Sequence, residues 1–289
     1  MAIDFAGDAE TQIATLDALR KEGSISLYKS ARPESGVGDL KSFPVSLKML
    51  ESRTGLTAES LGVGAEEVSL DDFKYATLYV TGGCSLLGVA ALALLPENIG
   101  ATICYIVAII PILFLGVGSS APAAIANVIA SIKGGGDDSI AKKDRVCRHE
   151  AAHFLCGYLS GLPIASYTLT KENIPRVEFL SSAQGPATAK RELSELEVNA
   201  LAVVAMSGSV AEAMAFGKAG GANSDLIELE GIFRQSANFL SSEKRQDLTR
   251  WGALTAYRLL NMHKEKLNRL VEAFDANKSV AECIAILEE

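Results

Sequence analysis

Two long stretches of this 289-residue chain contain no charged residue, and they constrain the fold more than any other feature. They cover residues 75–95 and 101–132. A helix that crosses a bilayer needs about 20 mostly apolar residues, so the first stretch fits one span. The most apolar part of the second stretch, from Ala101 to about Val117, fits another. Residues 96–100 have the composition of a turn, so the two helices are expected to form an antiparallel transmembrane hairpin.

Basic residues flank this hairpin, but its turn has no Lys or Arg. Because the cytoplasmic flanks of membrane helices are enriched in Lys and Arg, both termini are expected on the cytoplasmic side or on its plastid equivalent, the stroma. The alternative is a pair of buried core helices in a soluble protein, which the length of both stretches disfavours. The flanking basic residues are Lys74 before the first stretch and Lys133, Lys142, Lys143, Arg145 and Arg148 after the second.

The sequence His149-Glu150-Ala151-Ala152-His153 fits the pattern HExxH. On a helix, residues four apart share a face, so His149 and His153 can direct two imidazoles at one metal ion. Zinc suits neutral imidazole, and three protein ligands leave its fourth position open for water. Glu150 would lie beside the metal, where it can take a proton from the water that attacks a peptide carbonyl. The alternative, a surface helix with two unrelated histidines, is disfavoured because the chain has only three histidines.

Two residues are candidates for the third metal ligand. His263 lies in a polar run, where a solvent-facing role is typical. Asp225 follows Gly-Ala-Asn-Ser, a composition typical of a helix start. Its carboxylate either binds the metal or stabilises the first turn of its helix through the helix dipole, and the residue pattern leaves both interpretations open.

Periodicity outside the hairpin predicts helices and one small β-hairpin. The HExxH helix is expected from near Asp144 to Leu159, ending at Gly161. Two short strands should follow, and an edge strand beside a metal site could bind an extended substrate through main-chain hydrogen bonds. The strands are expected at residues 165–170 and 176–180, and further helices at 9–21, in short pieces over 45–61, at 192–216 with a break or kink near Ser207-Gly208-Ser209, at 223–239, at 243–276 and at 280–287.

Composition excludes several classes of protein. The net charge of −8, the pI of about 5.1 and the lack of a basic patch with interleaved aromatic residues argue against nucleic-acid binding. The number of cysteines, five, is odd, and they have no CxxC spacing. A disulfide framework is therefore not expected, and we expect the protein in a reducing compartment. Cys147 and Cys156 lie on either side of the HExxH motif, either as zinc ligands or, as we favour, as small buried hydrophobic residues.

Three segments resemble the peptidase domain of FtsH-type zinc metalloproteases, in the same order and at similar spacing. They are HEAAHFLCG at residues 149–157, SGSVAEAMAF at 207–216 and GANSDLIELEGIFR at 221–234. The family pattern is HEAGH, then a GGRAAEE-like helix, then GAxNDLxxAxxIAR. The resemblance covers about residues 139–289.

This resemblance implies that His149, His153 and Asp225 bind zinc and that Glu150 is the base. It also makes Glu212, at the GGRAAEE-like position, a candidate for a residue that contacts the ligands from behind. The sequence departs from the family where Ala152 replaces a glycine and where no ATPase module of the AAA type lies between the hairpin and the peptidase-like segment. The residues contain no GxxxxGK[ST] phosphate loop.

The sequence therefore predicts a mainly α protein that is a membrane-anchored zinc endopeptidase, similar to plastid FtsH-like proteins of plants and algae. The alternative is a non-catalytic membrane scaffold with the same fold. The expected cofactor is Zn²⁺, and the expected partners are protein substrates, a membrane, and an AAA ATPase or further copies of the chain, but no nucleic acid. The expected divisions are an N-terminal helical segment at 1–73, the hairpin at 74–132, a linker at 133–138 and the peptidase domain at 139–289.

Overall fold

The computed structural model divides the chain into two compact units. The larger unit combines Met1–Val63 with Ala141–Glu289, and the hairpin unit is Gly64–Ile140. The structure describes residues 9–31, 40–62, 70–120, 139–169, 175–180, 192–220 and 222–289. The predicted loop around residues 32–36, the apolar segment 121–132 and the predicted linker 133–138 lie outside these described residues.

The hairpin unit consists of two long helices, α3 (Leu70–Leu94) and α4 (Glu97–Ser120). The predicted turn at residues 96–100 is too long, because α4 already begins at Glu97. The backbone N–H groups of Ile99 and Gly100 donate to the carbonyl of Pro96, which closes the first helical turn within the predicted loop. An acidic residue at a helix start is favoured by the helix dipole, which suits Glu97 to this position.

Three helices in the described structure are long and apolar enough to cross a membrane: Phe73–Leu94, Glu97–Val117 and Glu195–Phe216. Their burial separates them, since 78% of the third is buried inside the protein, against 11% of the first and 6% of the second. The third is therefore a core helix, as predicted. The two helices of the hairpin do not have the burial expected of core helices in the soluble alternative, because few of their residues are buried inside the protein.

The larger unit is mainly helical, and its described residues include one antiparallel pair of strands, as predicted. The described elements of this unit are α1 (Ala9–Lys21), α2 (Leu47–Thr54), α5 (Ser139–Leu159), β1 (Ile164–Thr168), β2 (Arg176–Phe179), α6 (Glu195–Phe216), α7 (Ala222–Arg234), α8 (Ser242–Met262), α9 (Lys264–Asp275) and α10 (Val280–Glu288).

Two predicted helices end earlier in the structure than expected. The helix predicted over 243–276 is two helices, because the backbone at His263 leaves the helical region (φ −109°, ψ 32°), ending α8 and preceding α9. The helix predicted over 223–239 ends at Arg234. There the chain turns away to exchange main-chain hydrogen bonds with Leu193, which accepts from Ala237 and donates to Gln235.

The N-terminal segment packs with the C-terminal domain in one unit. The sequence instead suggests two separate parts, 1–73 and 139–289. Apolar side chains of the N-terminal segment, among them Leu16, Tyr28 and Val45, belong to the same buried cluster as Phe154 and Leu155 of α5. A short helix such as α1 is marginal by itself in water and gains its stability from such packing. The hairpin unit is thus an insertion within the larger unit along the chain.

Main-chain hydrogen bonds from the N-terminal segment complete the C-terminal end of α5. The N–H groups of Lys29 and Ala31 donate to the carbonyls of Tyr158 and Leu159, at 3.3 and 3.0 Å. Carbonyls at a helix end generally lack partners within the helix, and that of Tyr158 also accepts from the N–H of Gly161, which follows the helix. The N-terminal segment therefore holds the end of the helix that carries the HExxH motif.

We predict that Tyr28→Ala destabilises the larger unit by about 3–5 kcal/mol, the usual cost of truncating a buried aromatic side chain. Tyr28 is fully buried and its ring lies 5.4 Å from that of Tyr158. Urea unfolding of the full chain in detergent, followed by the fluorescence of the single tryptophan, Trp251, measures the change. The control is Phe43→Ala, which should stay within about 0.5 kcal/mol because Phe43 is largely exposed. Equal losses from both variants would contradict an integral N-terminal segment.

Candidate metal centre

Helix α5 places His149 and His153 on one buried face. Each residue is only 8% exposed, and their rings lie 4.7 Å apart at 72° to each other. Their spacing of four residues puts them one above the other on the helix, as the sequence predicted. Two imidazoles held this close can share one ion.

The hydrogen bonds of both rings determine which nitrogen faces the centre. Nδ1 of His149 lies 2.6 Å from Oε1 of Glu212, and Nδ1 of His153 lies 2.8 Å from the carbonyl oxygen of Val204. Carbonyl and carboxylate oxygens only accept hydrogen bonds, so each Nδ1 carries the proton and donates. In the neutral rings, Nε2 then has a free lone pair, which is the atom a metal binds.

Asp225, in the first turn of α7, brings its carboxylate to these nitrogens. Its Oδ2 lies 3.1 Å from Nε2 of His149 and 3.6 Å from Nε2 of His153. Zinc bonds of about 2.0–2.2 Å in a tetrahedral site place neighbouring ligand atoms about 3.3–3.6 Å apart. All three ligand atoms lie within 4.8 Å of one another, so the donor set is close to the size that one ion requires.

The carboxylate of Asp225 is suited to binding a cation. Its Oδ2 atom is buried, has no hydrogen-bond partner and lies close to the Nε2 atoms of both histidines. Burial acts to lower the pKa of His149, but the adjacent carboxylates of Asp225 and Glu212 raise it to about 10. A proton on His149 therefore supplies part of the positive charge that a metal ion would supply, and metal binding should release that proton.

Glu150 lies beside this group but is not part of it. The residue is 5% exposed, and its Oε2 atom is buried without a hydrogen-bond partner. Burial raises the pKa of Glu150, while the nearby imidazoles of His153 and His149 oppose that rise. A carboxylate in this position can accept a proton from a water molecule held at the centre.

Helix α6 faces α5 with residues that leave room for the histidines. Gly208 lies against His149 so closely that a Cβ atom built at Gly208 would overlap the imidazole ring. Of the break or kink predicted near residues 207–209, the break does not occur, because α6 is continuous from Glu195 to Phe216. Ser207 is buried and its hydroxyl donates to the carbonyl of Val204 at 2.6 Å. The small residues there make room for the two histidines and do not interrupt the helix.

Sequence reasoning missed the contact from Arg145 to Glu212 and treated Glu212 only as a candidate. Glu212 is 3% exposed, accepts from Nδ1 of His149 through Oε1 and pairs with Arg145 through Oε2 at 2.7 Å. Helical spacing held a usable signal, because Arg145 lies four residues before His149 and Glu212 lies four residues after Gly208. Each pair therefore shares a helix face, and the structure packs these two faces together.

The other candidate ligands do not join the group. Among the described residues, the one set of three or more potential ligands that could hold a metal ion is His149, His153 and Asp225. Cys147 and Cys156 are buried, and burial raises the pKa of both thiols, the second to about 12. They have the environment of inert, buried cysteines. His263 joins α8 to α9 and is not part of this group.

The two strands pair in antiparallel register, with Tyr167 opposite Val177 and Thr168 opposite Arg176. Each is an edge strand within the described sheet. The ring of Phe179 covers Gly157 of α5 so closely that a Cβ atom at Gly157 would overlap it. Strand β2 is therefore fixed against the helix that carries both histidines.

Comparisons with protein-family models, with curated proteins and with solved structures gave no match.

We predict that Gly208→Ala weakens metal binding by about 10–100-fold, the range typical for changes that displace a ligand from behind. The new methyl group would overlap His149. The matched control is Gly231→Ala on α7, where a Cβ atom meets nothing within 4 Å. Competition with a chromogenic chelator measures the zinc dissociation constant of each variant. If Gly208→Ala binds zinc as tightly as Gly231→Ala, the close packing at Gly208 does not position the histidine.

Proposed function

We propose that the protein is a zinc-dependent endopeptidase anchored in a membrane. The observation that carries this proposal is the convergence of His149, His153 and Asp225 at one point, with the buried carboxylate of Glu150 beside them. His149 and His153 lie close together because they are four residues apart on one helix. Asp225 comes from a different helix, so its position beside them is not a consequence of sequence proximity. Its Oδ2 atom, which is buried without a hydrogen bond and lies close to both Nε2 atoms, supports a cation at the centre.

The donor set supports zinc among the common metals. Two imidazoles and one carboxylate, with a further position for water, are the ligands of hydrolytic zinc sites. Magnesium and calcium prefer sites built from oxygen atoms alone. Iron(II) oxygenases also use two histidines and one carboxylate. The buried Glu150 favours the hydrolytic assignment, because a general base next to the ligands serves attack by water.

The proposed reaction is hydrolysis of a peptide bond. A bound zinc ion would supply Lewis-acid chemistry, acidifying a water molecule and polarising the substrate carbonyl. Glu150 would accept the proton of the attacking water and pass it to the departing amine. Glu212 and the carbonyl of Val204 would hold the two imidazoles in the orientation that presents Nε2. Strand β2, fixed against α5, could bind an extended peptide along its edge.

The proposed substrates are unfolded or loosely folded protein segments. A peptide must be extended to reach near-attack geometry beside such a centre. A folded domain has to open first, at a cost of up to its global stability of about 5–15 kcal/mol. Because residues 1–289 contain no GxxxxGK[ST] sequence, we propose that this chain by itself cleaves without ATP. An AAA ATPase, or further copies of the chain, would act as partners in delivering folded substrates.

The hairpin supports a membrane location. Helices α3 and α4 expose large apolar side chains along their length, including Leu86, Tyr105 and Ile112, each more than two thirds exposed. We propose two spans, with both termini on the side rich in Lys and Arg. We also propose a chloroplast membrane, with the termini in the stroma. This rests on the resemblance of the arrangement, a membrane hairpin followed by an FtsH-like peptidase segment without the ATPase module, to plastid proteins of plants and algae.

We predict that Glu150→Gln lowers the cleavage rate by about 10²–10⁴-fold, the usual contribution of a general base, while zinc stays bound. The amide keeps the shape of the side chain but cannot accept the proton. The matched control is Glu228→Gln, an exposed glutamate on α7, which should cleave like the wild type. The assay compares an unfolded casein-type substrate with a stably folded protein, each with and without ATP, and zinc content is measured in parallel.

Several outcomes would contradict this proposal. Equal cleavage by the wild type and Glu150→Gln would assign the activity to a contaminant. A zinc-loaded wild type that cleaves neither substrate would favour the non-catalytic scaffold. ATP-dependent degradation of the folded substrate by the purified chain would refute the proposal that it acts without ATP.

A further inference from the structure

We propose that Arg145 and Glu212 form a positioning pair that sets the metal affinity of the centre. The pair would hold His149 and the turn before the Asp225 helix in one fixed arrangement. This inference rests on the metal centre of the proposed function, but it does not depend on peptidase activity.

Glu212 contacts both parts of the centre through its two oxygens. Oε1 lies 2.6 Å from Nδ1 of His149, and Oε2 accepts from the backbone N–H of Gly220 at 2.8 Å. Gly220 lies two residues before Ala222, where α7 begins, and Asp225 is in the first turn of that helix. One carboxylate therefore touches a ligand from α5 and the backbone that leads to the ligand from α7.

Arg145 fixes this carboxylate and the same turn. Its Nη1 donates to Oε2 of Glu212 and to the carbonyl of Lys218, both at 2.7 Å. Its guanidinium carbon also lies 4.5 Å from the centre of the Phe216 ring, at the C-terminal end of α6. Arg145 thus connects α5, the end of α6 and the turn toward α7. These segments position His149 and Asp225.

The hydrogen-bond donors around position 212 require a carboxylate there. Glu212 receives donors from His149, Arg145 and Gly220, and a carboxylate offers only acceptors to them. A glutamine would direct its NH₂ group at one of these donors. That change would displace either the imidazole or the turn, although the volume of the side chain would stay the same.

A purely structural role predicts a different result from a positioning role. The side chain of Arg145 is 35% exposed, but that of Glu212 is only 3% exposed, so removing Arg145 leaves a buried charge without its partner and costs stability. If the role of the pair is purely structural, the variants lose stability in the metal-free protein and keep the metal affinity of the wild type. Changes to groups that orient a ligand from behind typically cost 10–100-fold in metal affinity.

The test uses the full chain in detergent, with zinc and cobalt(II) as the probes. The variants are Arg145→Gln, Arg145→Lys and Glu212→Gln. The control is Arg250→Gln, since Arg250 also pairs with an acid, Asp247, and with a main-chain carbonyl, that of Val45, away from the centre. Chelator competition gives the zinc dissociation constant, the visible absorption of bound cobalt reports ligand geometry, and thermal unfolding with chelator present reports the stability of the metal-free protein.

We expect Arg145→Gln and Glu212→Gln to bind zinc about 10–100-fold more weakly and to alter the cobalt spectrum, with Arg250→Gln unchanged in both. Arg145→Lys keeps the charge but not the planar fork, so it should recover part of the lost affinity. If Arg145→Gln does not fold, the Arg145→Lys variant tests the positioning role in its place. Wild-type zinc affinity in Arg145→Lys would then overturn the inference.

The outcomes separate this inference from the proposed function. Wild-type zinc affinity and cobalt spectrum in both Arg145→Gln and Glu212→Gln would overturn the positioning role and leave the peptidase proposal standing. A wild type that binds zinc but does not cleave, with the expected losses in the variants, would support the positioning role and refute the peptidase. A wild type that binds neither metal would overturn both.

Discussion

The structure depends on the packing of α5 against α6. The imidazole of His149 lies so close to Gly208 that position 208 has no room for a side chain. This contact buries His149 while leaving its Nε2 directed at Asp225. Buried polar groups are costly unless they are satisfied, and here Glu212 and the carbonyl of Val204 satisfy the Nδ1 atoms of the two histidines. Among the buried side-chain atoms of the described residues that have no hydrogen-bond partner, Oδ2 of Asp225 and Oε2 of Glu150 lie at the centre where chemistry is proposed.

The larger unit holds α5 at both ends. Arg145 is fixed near its beginning, and the N-terminal segment donates hydrogen bonds to its final carbonyls. The C-terminal helix takes part as well, since Glu288 accepts hydrogen bonds from Tyr158 and from the backbone of Leu27. Segments from the two extremes of the sequence thus meet at one helix end. An insertion of the hairpin between them requires that both parts of the larger unit pack together before the centre is complete.

The sequence predicted helices and residue positions well where they depend only on neighbouring residues. The bounds of α1 are those predicted, and the HExxH spacing placed both histidines correctly on one face. Asp225 could be placed near the histidines only through the family resemblance, because its residue pattern fits a helix start equally well. The N-terminal packing was not predictable, since Gln12 donates to the carbonyl of Ile164 across 152 positions and such contacts leave no periodic signal. Gly208 was misinterpreted because a glycine in a helix suggests a break when the neighbouring ring is unknown.

The most direct test of the account is X-ray absorption at the zinc edge of the metal-loaded full chain. The account predicts one zinc ion with nitrogen and oxygen neighbours only, at about 2.0–2.2 Å, including the multiple-scattering signal of two imidazoles. Replacing Asp225 with Ala should remove one oxygen neighbour without removing the imidazole signal. A sulfur neighbour at about 2.3 Å, or a chain that retains no metal, would contradict a centre built from His149, His153 and Asp225.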